Sequence, residues 1–109
     1  FEGIASIAKS KTLTQLETFT LTYNPIGVEG AKLIANSENF KNLKLLDLYE
    51  TGIGSEGGRI LAESKYLSNL QTLILIHNDI NEETQELIKN SKNLPNLSKV
   101  VFLPPKAEN

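Results

Sequence analysis

Apolar and polar positions along the chain follow two alternating rhythms. In "LETFTLTYNPI", "LKLLDLYETGI" and "LQTLILIHNDI" the apolar residues recur at every second place over a short span. That pattern predicts strands with one buried face. Between them lie "GVEGAKLIANSENFKN", "GSEGGRILAESKYLSN" and "NEETQELIKNSKNLPN". Each carries a glutamate near its start, Glu29, Glu56 or Glu83, where a carboxylate favours a helix N-terminus. Ser55 and Asn81 are the expected caps. Ile34, Leu61 and Ile88 form the inward column of these helices. Ala31, Gly58, Ala35 and Ala62 beside them let a helix approach a sheet closely. The opening "FEGIASIAKS" predicts a helix of the same kind.

Both rhythms repeat with one period. Leu16, Leu43, Leu70 and Leu97 stand 27 residues apart. The same spacing relates Phe19, Leu46, Leu73 and Val100, and then Leu21, Leu48, Leu75 and Phe102. It also relates Ile26, Ile53 and Ile80, before failing at Ala107. Ile7, Ile34, Leu61 and Ile88 keep it, as do Leu13, Phe40, Leu67 and Leu94. A constant period of this size predicts a solenoid, in which each unit buries its apolar face against its neighbours. The expectation is a single α/β domain over 1–109 with four units. Strands are expected near 17–22, 44–49, 71–76 and 98–103, and helices near 2–10, 28–37, 55–64 and 82–91. Ser37, Ser64 and Ser91 fall near the helix ends. There a hydroxyl bonded to a backbone carbonyl of the last turn is expected, since one nucleophile per repeat makes little chemical sense.

The pattern L-x-x-L-x-L-x-x-N-x-I followed by G-x-E-G-A is clearest in "LETFTLTYNPIGVEGAKLIANS". It resembles that of leucine-rich repeats, and the unit length and strand-turn-helix order resemble the ribonuclease-inhibitor-like subfamily. The endings "SENFKNL" and "SKYLSNL" are similar to repeats of bacterial proteins. The resemblance runs from Glu2 to Phe102. It implies a short right-handed arc with a parallel sheet on the concave side and helices on the convex side. It also implies an asparagine that bonds turn backbone and links coils. Asn24 and Asn78 hold that position, but Thr51 and Pro105 replace it in the second and fourth units. Thr51 can keep one such bond. Pro105 keeps none, so the array is expected to stop there and "LPPKAEN" to leave it. No distinct N-terminal cap is evident. The strand from Thr18 to Thr22 is therefore expected to leave an open edge, and the chain to be a piece of a longer protein.

With Leu73 and Leu75 turned inward, the other parity faces the concave wall. Its columns are Thr18, Leu45, Thr72 and Lys99; Thr20, Asp47, Ile74 and Val101; Thr22, Tyr49, Ile76 and Leu103; and Tyr23, Glu50, His77 and Pro104. The wall starts threonine-rich and becomes apolar towards the C-terminus. A contiguous apolar patch marks an interaction surface. The expected partner-binding residues are Leu45, Asp47, Tyr49, Glu50, Ile74, Ile76, His77, Lys99, Val101 and Leu103, with Tyr49 as anchor. Cover by more of the same protein would account for the same aliphatics, and so would plain β-propensity.

Composition narrows the chemistry. The net charge is −2 with both signs dispersed and no basic block, so nucleic acid is not an expected partner. The absence of cysteine removes disulfides and thiolate metal sites, and one histidine cannot build a multi-histidine site. A rim hydrogen bond is the plain expectation for His77. Asp47 and Glu50 have no matching acids in neighbouring units and do not make a glycosidase pair. "GIGSEGG" lacks the lysine of a phosphate loop. No apolar run spans a bilayer. Neither cofactor nor metal is expected. The reading is a non-enzymatic protein-binding module of the cytosol, or of a host cytosol if it is a secreted bacterial effector. The alternative is the recognition segment of a larger enzyme, such as a bacterial ubiquitin ligase or a GTPase-activating protein. Self-association through the open strand edge is a third reading.

Overall fold

The computed structural model describes residues 2–9 and 15–104. Its elements alternate as α1 (Glu2–Lys9), β1 (Thr18–Thr20), α2 (Gly27–Ala35), β2 (Leu45–Asp47), α3 (Gly54–Ala62), β3 (Thr72–Ile74), α4 (Glu82–Lys89) and β4 (Lys99–Val101). The strands form one parallel sheet in chain order. Thr18 pairs with Leu45, Leu45 with Thr72, and Thr72 with Lys99. The register between strands therefore equals the sequence period, and each turn of chain is one coil. Helices pack against their immediate neighbours, α1 on α2, α2 on α3 and α3 on α4. The sheet lines the concave wall and the helices the convex wall.

The regular strands are shorter than the alternation predicts, three paired residues each rather than six. The chain must bend into the turn, and Tyr23, Glu50 and His77, at equivalent places, take φ of 65°, 50° and 58°. Bonding between coils nevertheless continues past the strands. Leu21 N–H donates to Asp47 O at 2.9 Å and Tyr23 N–H to Tyr49 O at 2.9 Å. Leu48 and Glu50 repeat this against Ile74 and Ile76 at 2.9 and 2.8 Å. Between the third and fourth coils, Leu75 N–H still reaches Val101 O at 2.8 Å. No bond from His77 N–H to Leu103 follows it among the described residues. Coil 4 thus leaves the stack earlier than its predecessors, before Pro105, which lies outside the described residues.

The helices end at Ala35, Ala62 and Lys89, two residues before the predicted limits. The serines explain the difference. Each leaves the helix and bonds to the last turn of the preceding coil's helix, not of its own. Ser37 Oγ donates to Ala8 O at 2.8 Å, Ser64 Oγ to Ala35 O at 2.6 Å, and Ser91 Oγ to Ala62 O. The same oxygens accept N–H bonds from Asn39, Tyr66 and Asn93. A second set of links comes from Asn69 Nδ2 to Lys41 O at 2.8 Å and Asn96 Nδ2 to Ser68 O at 2.7 Å.

Helix entry also differs between coils. Gly27 and Gly54 stand at φ of 61° and 64°, which other residues adopt only with strain. Neither α2 nor α3 has a side-chain cap. Ser55 is therefore not the expected cap; it links coils, its Oγ accepting from Asn81 N–H at 2.8 Å. In the third coil the place of Gly27 and Gly54 is taken by Asn81, whose φ is −70°. Asn81 then caps α4, accepting from Thr84 N–H at 2.8 Å.

The core is one continuous layer between sheet and helices. Leu46, Leu48, Leu73 and Leu75 fill it from the strands, Ile34, Leu61 and Ile88 from the helices, and Phe40, Leu67 and Leu94 from the returning segments. The Phe19 and Phe40 rings stack at 5.3 Å. The small residues set the helix spacing. A Cβ at Gly58 would lie 3.2 Å from both Ile88 Cδ1 and Thr84 Cγ2 of the next coil.

Candidate functional site

On the concave wall the polarity changes from one end to the other. Thr18 and Thr20 on β1 are exposed. From β2 onward the outward positions carry apolar groups, with Leu45, Ile74 and Val101 half-buried in adjacent strands. Asp47↔Ile74 and Ile74↔Val101 are direct cross-strand neighbours, so Ile74 and Val101 touch one surface. Leu103 stands out at 77% exposure. Lys99 is exposed at the start of β4. Asp47 sits between the apolar residues, and its carboxylate accepts the Tyr49 N–H at 3.0 Å. That bond closes the local turn that takes the chain off the strand.

Ile76 departs from expectation. It lies outside the contiguous core cluster but is only 7% exposed. In its column it falls between Tyr49 and Leu103, and a branched side chain flanked on both sides is shaded by its neighbours. Ile76 therefore supports the wall more than it presents surface. A charge placed there acts on stability as well as on binding.

At the strand ends an aromatic row crosses three coils, its outer members Tyr23 and His77 standing on left-handed residues and Tyr49 between them not. Tyr23 and Tyr49 meet edge to face with centroids 5.2 Å apart, and Tyr49 and His77 do the same at 5.4 Å. His77 accordingly makes a ring contact in place of the expected rim hydrogen bond. Tyr23 is 64% exposed. It is absent from the expected site residues, although its column is among those expected on the wall: periodicity gives its position, but not that its ring reaches across to coil 2. The Tyr49 phenol is held above the ordinary tyrosine range. A side-chain hydrogen bond with Tyr23 is the main cause, followed by desolvation and the charges of Tyr23 and Glu50. Glu50, exposed beside it, adds negative charge to the row.

Beneath this rim is the asparagine linkage. Asn78 is buried, and its Nδ2 donates to Leu48 O at 2.7 Å and Ile76 O at 3.3 Å. Its Oδ1 accepts from Thr51 N–H at 3.0 Å and Ile53 N–H at 3.3 Å. The Thr51 hydroxyl lies 2.9 Å from Leu48 O and 3.2 Å from Asn78 Oδ1 and donates to one of them. Asn24, exposed at the other end, donates to Leu21 O and Thr22 O of its own coil, at 3.2 Å each.

Among the described residues no cluster of three or more histidine, cysteine, aspartate or glutamate side chains could hold a metal, and no helix is long and apolar enough to cross a membrane. The leucine-rich repeat family model matches residues 9–35, the stretch from the end of α1 through β1 to α2. The fold is a short leucine-rich repeat solenoid. Repeats of this family generally mediate protein–protein interaction, and the fold is typically non-enzymatic. No curated protein matches the chain.

Proposed function

We propose that this leucine-rich repeat domain binds another protein on the C-terminal half of its concave wall. The observation that carries the reading is the cross-strand pair Ile74 and Val101, with Leu45 diagonal to Ile74 on the next strand, flanked by the Tyr23–Tyr49–His77 row and the exposed Leu103. Half-buried aliphatics on neighbouring strands lose further water-exposed area on docking, and a rigid tyrosine adds area at small entropic cost. Glu50 and Lys99 border the patch, Asp47 lies within it, and their charges orient the partner electrostatically. The unit length and the full α-helix on each convex crossing favour the ribonuclease-inhibitor-like kind of repeat.

Affinity capture with the wild type, Ile74→Asp and Tyr49→Ala tests the reading. Both side chains lie on the wall, so both variants are expected to keep the wild-type melting temperature within about 3 °C, as surface changes do. Both are expected to lose the captured protein. Capture undiminished by both substitutions removes the concave wall as the binding face.

A further inference from the structure

Taking the concave wall as the binding face, on which this reading rests, we infer that the Tyr23–Tyr49–His77 row receives the guanidinium of an arginine on the partner protein. Tyr23, Glu50 and His77 stand one period apart and share left-handed φ of 65°, 50° and 58°. Equal backbone conformations send their side chains off the turn in one direction. The coils are bonded at this level, Tyr23 N–H to Tyr49 O at 2.9 Å and Glu50 N–H to Ile76 O at 2.8 Å. Glu50 therefore stands in line between Tyr23 and His77, about 5 Å from each at the backbone. The Tyr49 ring, one place earlier in coil 2, touches both other rings, with centroids 5.2 Å from Tyr23 and 5.4 Å from His77. Tyr23 is 64% exposed, and Glu50 and His77 are exposed as well. One patch of the rim thus offers aromatic rings and a carboxylate together.

Both features select a cation. A ring face attracts positive charge through its quadrupole, and the carboxylate attracts it directly. Asp47 and Asp79, two residues from Tyr49 and His77, add negative charge nearby. The charge of Glu50 already helps to hold the Tyr49 phenol up. An anionic group would be repelled by Glu50. An apolar group would strip water from the carboxylate and return no hydrogen bond. A guanidinium is flat, stacks on a ring and turns a fork of N–H donors to a carboxylate beside it. A lysine ammonium is a point charge and lacks the plane that spans both. The chain seats its own cations on other rings, with Lys65 Nζ 5.2 Å from the Tyr66 centroid and Lys89 Nζ 5.8 Å from that of Phe102. The rim differs in setting ring and carboxylate side by side, as arginine requires.

The test is solution NMR on the full chain. The probes are arginine, citrulline and lysine, each as its N-acetyl, N-methylamide form, at constant ionic strength. Citrulline keeps the flat head and loses the charge. The arginine probe is expected to shift the Tyr23 and Tyr49 ring resonances and to bind at least about threefold more tightly than either of the others. The Tyr66 ring, already under Lys65, is expected to shift less. Glu50→Gln and Tyr23→Leu are each expected to weaken the arginine probe about threefold, read on the Tyr49 ring. Equal binding of the citrulline or lysine probe overturns the proposal, and so does arginine binding undiminished in both variants. Glu50→Lys sets like charge against the arginine of the partner, so partner capture by it equal to the wild type also overturns the proposal. Ile74→Asp leaves the row intact, which separates the two readings. Capture undiminished by Ile74→Asp and Tyr49→Ala, with a selective arginine shift, removes the wall as the binding face and keeps the guanidinium site. Capture lost in both, without that shift, keeps the wall and removes the site.

Discussion

Coils 2 and 4 occupy the same columns in the same register, yet they are not equally sealed. Leu46 and Leu48 are fully buried, while Val100 and Phe102 remain half-buried at the edge of the core. Residue type does not explain the contrast, since phenylalanine is as apolar as leucine. Among the described residues coil 2 has a neighbour on each side and coil 4 only one. In a stacked array, burial is conferred by the adjoining coil, so the energetic worth of a column position falls from the interior to the end.

Substitutions along one column break or sharpen this contrast. Leu48→Ala, in the sealed coil, should cost about 2–5 kcal/mol in denaturant unfolding, because neighbours on both sides hold the cavity open. Ile76→Asp should cost roughly 2–4 kcal/mol through a poorly solvated charge, visible as a fall in melting temperature. A melting temperature unchanged by that substitution would mean that the wall at Ile76 is open to water. Asn78→Ala comes next, at about 2–3 kcal/mol, because it strands the Thr51 and Ile53 amides, while Leu48 C=O keeps the Thr51 hydroxyl. Val100→Ala, in the end coil, should cost only about 1 kcal/mol, half-exposed methyl groups being worth less. An equal loss at Leu48 and Val100 would end the comparison. The smallest effect is on titration. The Tyr49 phenol is raised, so the stability linked to it is fully present below the unfolded tyrosine pKa and is lost as pH rises through the folded value. Ultraviolet titration should show Tyr49 ionising above a free tyrosine, and Tyr23→Phe should remove most of the difference.

Parity within each strand was legible from the chain alone. Strict alternation leaves Leu73 and Leu75 one option and Ile74 the other, and constant spacing extends the choice to every coil. What lay beyond reading involved the next coil. The shading of Ile76 depends on which side chains stand to its left and right, and alternation does not weigh that. Ser64 sits where a helix would end, but the identity of its acceptor, a carbonyl 29 residues back, depends on how closely two helices stack. His77 and Tyr23 acquired their ring contacts from left-handed turns at non-glycine residues, a conformation that residue type does not announce. Propensity also overstated the strands, since β-branched and apolar residues continue past the point where the backbone turns.

Most side-chain donors that link coils share a direction, Ser55 Oγ to Asp79 O being an exception. Ser37, Ser64, Ser91, Asn69, Asn78 and Asn96 all donate towards the N-terminal neighbour. An arriving coil brings its own donors and finds acceptors already laid down. Chains emerge from the ribosome N-terminus first, so this polarity lets assembly keep pace with synthesis, each newcomer docking on a finished template. Trimming from the C-terminal end would leave behind mostly carbonyls, which water satisfies readily, together with the Thr51 and Ile53 amides.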